Sequence, residues 1–324
     1  MGWKTRPGGT GRLLAAGLAL TVALAATVLG PAAGALAAPV TVTNGTQFTD
    51  TTGAVVHAHG GGVLKVGDYY YWFGENRNPD NTFRAVSVYR STDLRTWEFR
   101  NNVLTQSSAA ELRVSNIERP KVIYNAATGR FVMWMHKENG SDYNEARAAV
   151  ASSSTVDGAY TYHGSFRPFG QHMSRDITLY NDNGTAYMIS AADDNYDLNI
   201  YRLTSDYLNV ATLVGNFWDG AHREAPAMFK RGSTYFLLTS GATGWSPNQA
   251  RYATRPASRD RGAAGPTWAT APRSTRSRRS CCRSRAPPAP ATSIWVTGGP
   301  ERGAAQPTTP STCGCRSASR PPPA

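Results

Sequence analysis

Three acidic residues recur in similar surroundings: Glu118 in Ile117-Glu118-Arg119-Pro120-Lys121, Asp176 in Ser174-Arg175-Asp176-Ile177, and Glu224 in Arg223-Glu224-Ala225-Pro226. Each has an arginine beside it and leads a run of β-forming residues that ends in a glycine turn. Asp176 and Glu224 lie eight residues before Gly184 and Gly232, and Glu118 lies eleven before Gly129, whose turn is longer. By the same register His59 lies eight residues before Gly67 and takes a fourth equivalent place. Carboxylates gathered in one site raise one another's pKa, which poises one as a proton donor and leaves another ionised. Paired carboxylates of divided protonation state suit glycoside hydrolysis. Clustered carboxylates also suit a hard cation such as calcium.

The elements that would gather them are short strands. Between Val40 and Tyr252 the chain is rich in Tyr, Trp, Val and Thr, with glycine-containing turns at short intervals and no long amphipathic helical stripe. Four hairpins align: 60–76, 117–139, 176–194 and 224–245. Each of the first three is followed by an outer strand pair, at 86–100, 148–164 and 199–215. Four antiparallel strands repeating every 48 to 59 residues describe a β-propeller blade. A twisted β-sandwich would not impose that steady period. Innermost strands line a propeller's axis, so His59, Glu118, Asp176 and Glu224 should converge at one mouth of the channel. Strand alternation predicts that Arg119, Arg175 and Arg223 turn away from the acids and serve the structure.

Both ends differ from this middle. A basic start, the apolar run Leu13–Gly30 and the small residues ending Ala35-Leu36-Ala37-Ala38 read as a secretory signal peptide over 1–37. That predicts an extracellular protein with no membrane span once the leader is removed. The formal net charge of +12 could suggest a nucleic-acid partner. However, residues 253–324 hold 12 Arg, no Lys and two acids, leaving the preceding 252 residues nearly neutral. That segment also holds 12 of the 20 prolines and all four cysteines (Cys281, Cys282, Cys313 and Cys315), with no Tyr or Phe. Its aromatics are not interleaved with the arginines as on a nucleic-acid platform, and the cysteines lack metal-ligand spacing, so neither nucleic acid nor a metal or other cofactor is expected. The segment reads as a disordered Arg/Pro-rich tail or as out-of-frame translation. The domains expected are therefore a leader over 1–37, a propeller over 38–252 and this tail over 253–324.

The stretches HGGGVLKVGDYYYWFGEN, SVYRSTDLRTWEF, IERPKVIYN, SRDITLYNDNGTAYMISAADDN and REAPAMFKRGSTYFLLTSGATGWSPN together resemble glycoside hydrolase family 43, and within it the exo-β-1,3-galactanase group. The resemblance covers residues 56 to about 252 and implies an all-β, five-bladed β-propeller that cleaves with inversion. It implies that Glu224 is the general acid, that Asp176 tunes and orients it, and that Glu118 is a further carboxylate of the site. Glu75, His59, Tyr143 and Thr243 would bind the sugar. Trp134, Trp218 and Trp245 are candidates for the wall, each more readily explained as core. The wider family carries a base aspartate where this chain has His59-Gly60-Gly61-Gly62. The galactanase group shares that absence and handles the attacking water with a fifth-blade glutamine.

Four blades are recognisable and the fifth is lost: around 275–295 the chain reads STRSRRSCCRSRAPPAPATSI, and Gln306 lies in no strand pattern. The function expected is release of galactose from plant-type β-1,3-galactan or arabinogalactan, with the activity of this chain set in doubt by the lost blade. The alternatives are a family 43 arabinofuranosidase or xylosidase, and a non-catalytic galactan-binding propeller.

Overall fold

A computed structural model describes residues 41–43, 46–244, 246 and 248–256, together with the backbone of 269–270. The expected leader, Trp245, Gln306, the cysteines and the expected fifth-blade hairpin lie outside the described residues. Four antiparallel sheets follow one another, each a meander whose strands pair in sequence order. The first contains β1 (His59–Val66), β2 (Tyr69–Arg77), β3 (Phe83–Ser91) and β4 (Glu98–Thr105). The second contains β5 (Asn116–Asn125), β6 (Arg130–Glu138), β7 (Arg147–Ser153) and β8 (Thr161–Phe166). The third contains β9 (Ile177–Asp182), β10 (Thr185–Ala192), β11 (Asp197–Leu203) and β12 (Val210–Phe217). The fourth contains β13 (Arg223–Arg231), β14 (Thr234–Gly241), β15 (Arg251–Pro256) and the two-residue β16 (Ala269–Thr270). Strand β1 packs on β5, β5 on β9 and β9 on β13. The protein is all-β, and its sheets are four successive propeller blades.

Local sequence sets the hairpins. Asn183-Gly184 between β9 and β10 has both residues at positive φ, +52° and +89°, the two-residue turn that matches strand twist. Side-chain alternation then builds the packing between blades. Met133 and Met135 of β6 face the first blade and pack with Phe73, Val86, Val88 and Leu104. Val132 and Trp134 of the same strand face the third blade and meet Ile177, Leu179, Met188 and Tyr201. Strand β10 repeats this pattern, sending Met188 back and Ile189 and Ala191 forward toward Leu237 of the fourth blade. Strands β6 and β10 are therefore apolar on both faces, which explains runs such as FVMWM that show no clean alternation.

Among the described residues the fourth blade is buried on one face only. Leu237 is fully buried against the third blade. On the other face Phe229 and Phe236 stack with centroids 4.9 Å apart, while Leu238 and Tyr252 are 36% and 51% exposed. This is the face that a next blade would cover. Because Leu237 is the large, fully buried anchor of this blade among the described residues, Leu237→Ala should cost about 2–5 kcal/mol. The check is the denaturant midpoint, with faster amide exchange confined to β13–β15. A loss under 0.5 kcal/mol, roughly that of a surface change, would show that the blade is held in some other way.

Candidate active site

Bulges place the site residues. Pairing skips from His59 to Gly62 in β1, from Glu118 to Lys121 in β5 and from Glu224 to Ala227 in β13. In each case the residue after the site residue is left-handed: Gly60 at φ +60°, Arg119 at +54° and Ala225 at +49°. A bulge re-aims side chains, and a left-handed non-glycine residue costs about 1–3 kcal/mol, so strong contacts must hold the last two. In β1 the glycines are required by space. A Cβ on Gly61 would lie 1.6 Å from the Phe73 carbonyl oxygen. Asp176 stands immediately before β9, anchored where the Ala191 N–H donates to its carbonyl at 2.8 Å.

These turns bring the acids into one bonded network. Arg77 donates to Glu75 Oε2 from Nε at 2.9 Å and from Nη2 at 2.5 Å, and Nη2 also reaches Glu118 Oε1 at 2.9 Å. His59 Nδ1 lies 3.1 Å from Glu75 Oε2. Arg119 binds in two directions: its backbone N–H donates to Glu75 Oε1 at 2.8 Å and its Nε to Asp176 Oδ1 at 2.8 Å. Asp176 Oδ2 accepts the Ala225 N–H at 2.9 Å, beside Glu224. Asn195 Nδ2 approaches Glu224 Oε2 at 3.4 Å. The Tyr143 hydroxyl donates to Glu118 Oε1 at 2.8 Å, and Lys121 Nζ donates to the Gly60 carbonyl at 2.6 Å.

The expectation that all three arginines turn away is corrected for Arg119. The bulge and its positive φ break the alternation, and the guanidinium enters the centre. The other two do turn away. Arg175 donates to the Tyr143 carbonyl and pairs with Asp194 at 2.5 Å, holding the left-handed turn Asp193–Asn195 that presents Asn195. Arg223 lies over the Trp218 ring at 5.1 Å and donates to Thr239 Oγ1.

The acids are not equivalent. Burial pushes Glu75 and Glu118 up, but the hydrogen bond from His59 to Glu75 and the close approach of His136 to Glu118, with the nearby guanidinium charges, hold both well below the usual carboxylate range. Glu224 is pushed up to about 7, first by burial and then by the negative charge of Asp176, with Arg119 opposing. One group able to hold a proton near neutrality thus faces acids that stay ionised.

Glu118, His136 and Asp176 offer ligand atoms within 4.8 Å of one another. The donor set nevertheless does not suit a dication. Asp176 is paired to Arg119, Glu118 is paired to Arg77, and His136 is raised to about 9, its two carboxylate partners outweighing burial. A metal would have to displace fixed cations and a proton.

Other expected residues fall elsewhere. The Thr243 hydroxyl donates to the Ser246 carbonyl and accepts from Asn248, so it is engaged in its own loop rather than bonded to the carboxylates. Trp134 is buried, its Nε1 donating to the Tyr207 carbonyl, which makes it core. Arg77, Lys121, His136, Glu138 and Asn195 were absent from the sequence-derived set. Cross-strand register could have found two of them, since Glu118 pairs with His136 and Arg77 follows Glu75 on the same face of β2.

The model of the glycosyl hydrolases family 43 matches residues 58–298. The chain belongs to glycosyl hydrolase family 43. Among solved structures it is similar to an exo-β-1,3-galactanase from Clostridium thermocellum at 53% identity and TM-score 0.66, over 71% of this chain and 51% of that one. It is also similar to an exo-β-1,3-galactanase from Phanerochaete chrysosporium solved with galactose, at 39% identity and TM-score 0.64, over 67% and 51% of the two chains. A substituted form of the latter, solved with β-1,3-galactotriose, matches at 38% and 0.65 over 71% and 53%. The chain thus spans about half the length of these galactanases.

The raised Glu224 gives a signed pH effect. Its ordinary value is 4.5 and its folded value about 7, so between them the folded protein holds more protons than the unfolded chain, and stability falls as pH rises. Relative to Glu224→Gln, the wild type should lose stability from pH 4.5 to about 7 and then hold a constant difference. Asp176→Asn should lower the Glu224 titration seen by carboxyl NMR. An unchanged titration would remove Asp176 from the account.

Proposed function

We propose that this chain is an exported glycoside hydrolase that removes terminal galactose from β-1,3-linked galactan, with inversion at the anomeric carbon. The observation that carries the reading is Glu224, able to stay protonated near neutral pH beside Asp176. Glu224 would give its proton to the glycosidic oxygen as the C1–O bond breaks. Water, which the resemblance has a fifth-blade glutamine handle, would add to C1 from the opposite face as that bond breaks and release one proton to solvent, balancing the proton that Glu224 gives up. Glu75, Glu118, Arg119 and Tyr143 would grip the sugar hydroxyls. The galactanase neighbours support β-1,3-galactan as the substrate class, to which we add plant-type arabinogalactan as an expectation of the resemblance, and the leader-like sequence over 1–37 supports export.

A second reading rests on the far end of the chain. The fourth blade closes on a two-residue strand, and the sequence beyond it is Arg/Pro-rich. Without the glutamine, the same pocket would bind galactose and turn nothing over. We read residues 253–324 as out of frame, which translating the coding DNA in all three frames tests directly.

Incubation with β-1,3-galactobiose, followed by proton NMR, separates these readings. The hydrolase reading expects galactose appearing first as the α-anomer, a rate at least about 100-fold lower in Glu224→Gln, and no release from arabino- or xylo-oligosaccharides. Saturable binding without product favours the second reading. Full activity in Glu224→Gln rejects Glu224 as the acid.

A further inference from the structure

The proposed reaction uses Glu118 and Tyr143 but leaves unexplained the buried charged pair behind them. His136 and Glu138 are 1% and 0% exposed, on a strand that is apolar from Phe131 to Met135 and carries the buried Lys137 between them, which pairs with Glu145 at 2.5 Å. His136 Nε2 is hydrogen-bonded to Glu138 Oε1 at 2.7 Å, and its Nδ1, which makes no hydrogen bond, lies at ion-pair distance, 3.3 Å, from Glu118 Oε2. Carboxylate oxygens only accept hydrogen bonds. An anion beside each ring nitrogen favours the doubly protonated imidazolium over either neutral tautomer. The charged groups around it agree: Glu118 and Asp176 come from β5 and the start of β9, Glu138 from its own strand, and Arg77 reaches it only through Glu118.

The circuit then closes through a loop. Glu138 Oε2 accepts the backbone N–H groups of Glu145 and Ala146, both at 3.0 Å. Ala146 is fully buried at φ +44°, a conformation that alanine does not hold unaided. Residues 139–146, which these bonds anchor, carry Tyr143. Its hydroxyl returns to Glu118 Oε1, and its ring lies 5.9 Å from the His136 ring. Glu118, His136, Glu138, the 145–146 amides and Tyr143 therefore form one ring of contacts.

We propose that His136 is a positioning residue, a buried imidazolium strut that fixes the Glu118 carboxylate on one side and, through Glu138, the loop bearing Tyr143 on the other. A neutral residue at 136 would leave two buried carboxylates facing each other. The loop would loosen, and Tyr143 and Glu118 would no longer meet the sugar together. The proposal rests on the galactoside reading for its ligand but not for its geometry.

The test takes the full chain as wild type, His136→Gln, Tyr143→Phe and the double variant. Imidazole 15N NMR of the wild type at pH 7 should show His136 protonated on both nitrogens. Amide exchange at Glu145 and Ala146 should be about tenfold faster in His136→Gln. Calorimetry with β-1,3-galactobiose should show each single variant binding about tenfold more weakly. The double variant should bind little more weakly than either, because both substitutions break one ring of contacts. A neutral His136, unchanged exchange at 145–146, or additive binding losses would each overturn the strut. If the wild type binds no galactobiose, the galactoside reading fails while the NMR and exchange arms still decide the strut. If His136→Gln does not fold, Glu138→Gln with the wild-type NMR takes its place, and doubly protonated His136 with 145–146 exchange faster by about tenfold is again the supporting result.

Discussion

Arg119 bonds to three blades at once, and the site cannot be assembled without it. Its backbone lies in the second blade, its N–H binds Glu75 of the first, and its guanidinium binds Asp176 at the head of the third. Three carboxylates brought to one axis repel each other, and in a buried setting that repulsion is weakly screened. A cation rooted among them converts the repulsion into attachment between blades. The left-handed backbone at Arg119 follows from this. An ordinary strand would aim residues 118 and 119 to opposite faces, whereas here both must reach the axis. Contacts to two carboxylates readily outweigh a strain of about 1–3 kcal/mol.

The same constraint shapes the rest of the centre. Among the described residues Glu75, Glu118 and Asp176 are each matched by a cation or backbone N–H from a neighbouring strand: the Arg119 N–H binds Glu75, Arg77 and His136 flank Glu118, and the Arg119 guanidinium binds Asp176. Because the partners come from neighbouring strands and blades, the network is a fastening as well as a binding surface. The apolar interfaces farther out carry the bulk of the burial. They do so through strands apolar on both faces, as in β6 and β10. A blade with only one such interface, like the fourth, depends more on its inner contacts, where Ala225 is tied to Asp176.

Much of this was legible in the sequence because it rests on local rules. Glycine spacing and β-forming runs gave the hairpins, their period gave the blades, and the shared register gave the convergence of His59, Glu118, Asp176 and Glu224. What escaped was whatever depends on broken alternation or on long-range pairing. Arg119 was placed outward because nothing in Ile117-Glu118-Arg119-Pro120 announces a bulge. Asn195 reaches Glu224 only because Arg175 pairs with Asp194 across the top of the third blade. The Thr243 hydroxyl is bonded within its own loop, a contact between residues three apart that its motif does not announce. The Ser91-Thr92-Asp93-Leu94 segment is structural too: Asp93 accepts the N–H groups of Arg95 and Thr96, closing the turn that seats Trp97 on Trp72.

Why Glu224 alone is suited to keep a proton follows from the distribution of cations rather than from the acids themselves. Glu75 and Glu118 share Arg77, and each has a histidine as well. Asp176 takes the side chain of Arg119. Among the described residues Glu224 has no ion pair, only the neutral amide of Asn195 at 3.4 Å. Half-buried and next to an anion, it feels desolvation and repulsion with little relief from Arg119, whose guanidinium is directed at Asp176. Among the described residues a proton is therefore retained at the axial carboxylate that has no cationic partner. An arginine turned from Asp176 to Glu224 would leave the same acids in the same pocket without a donor.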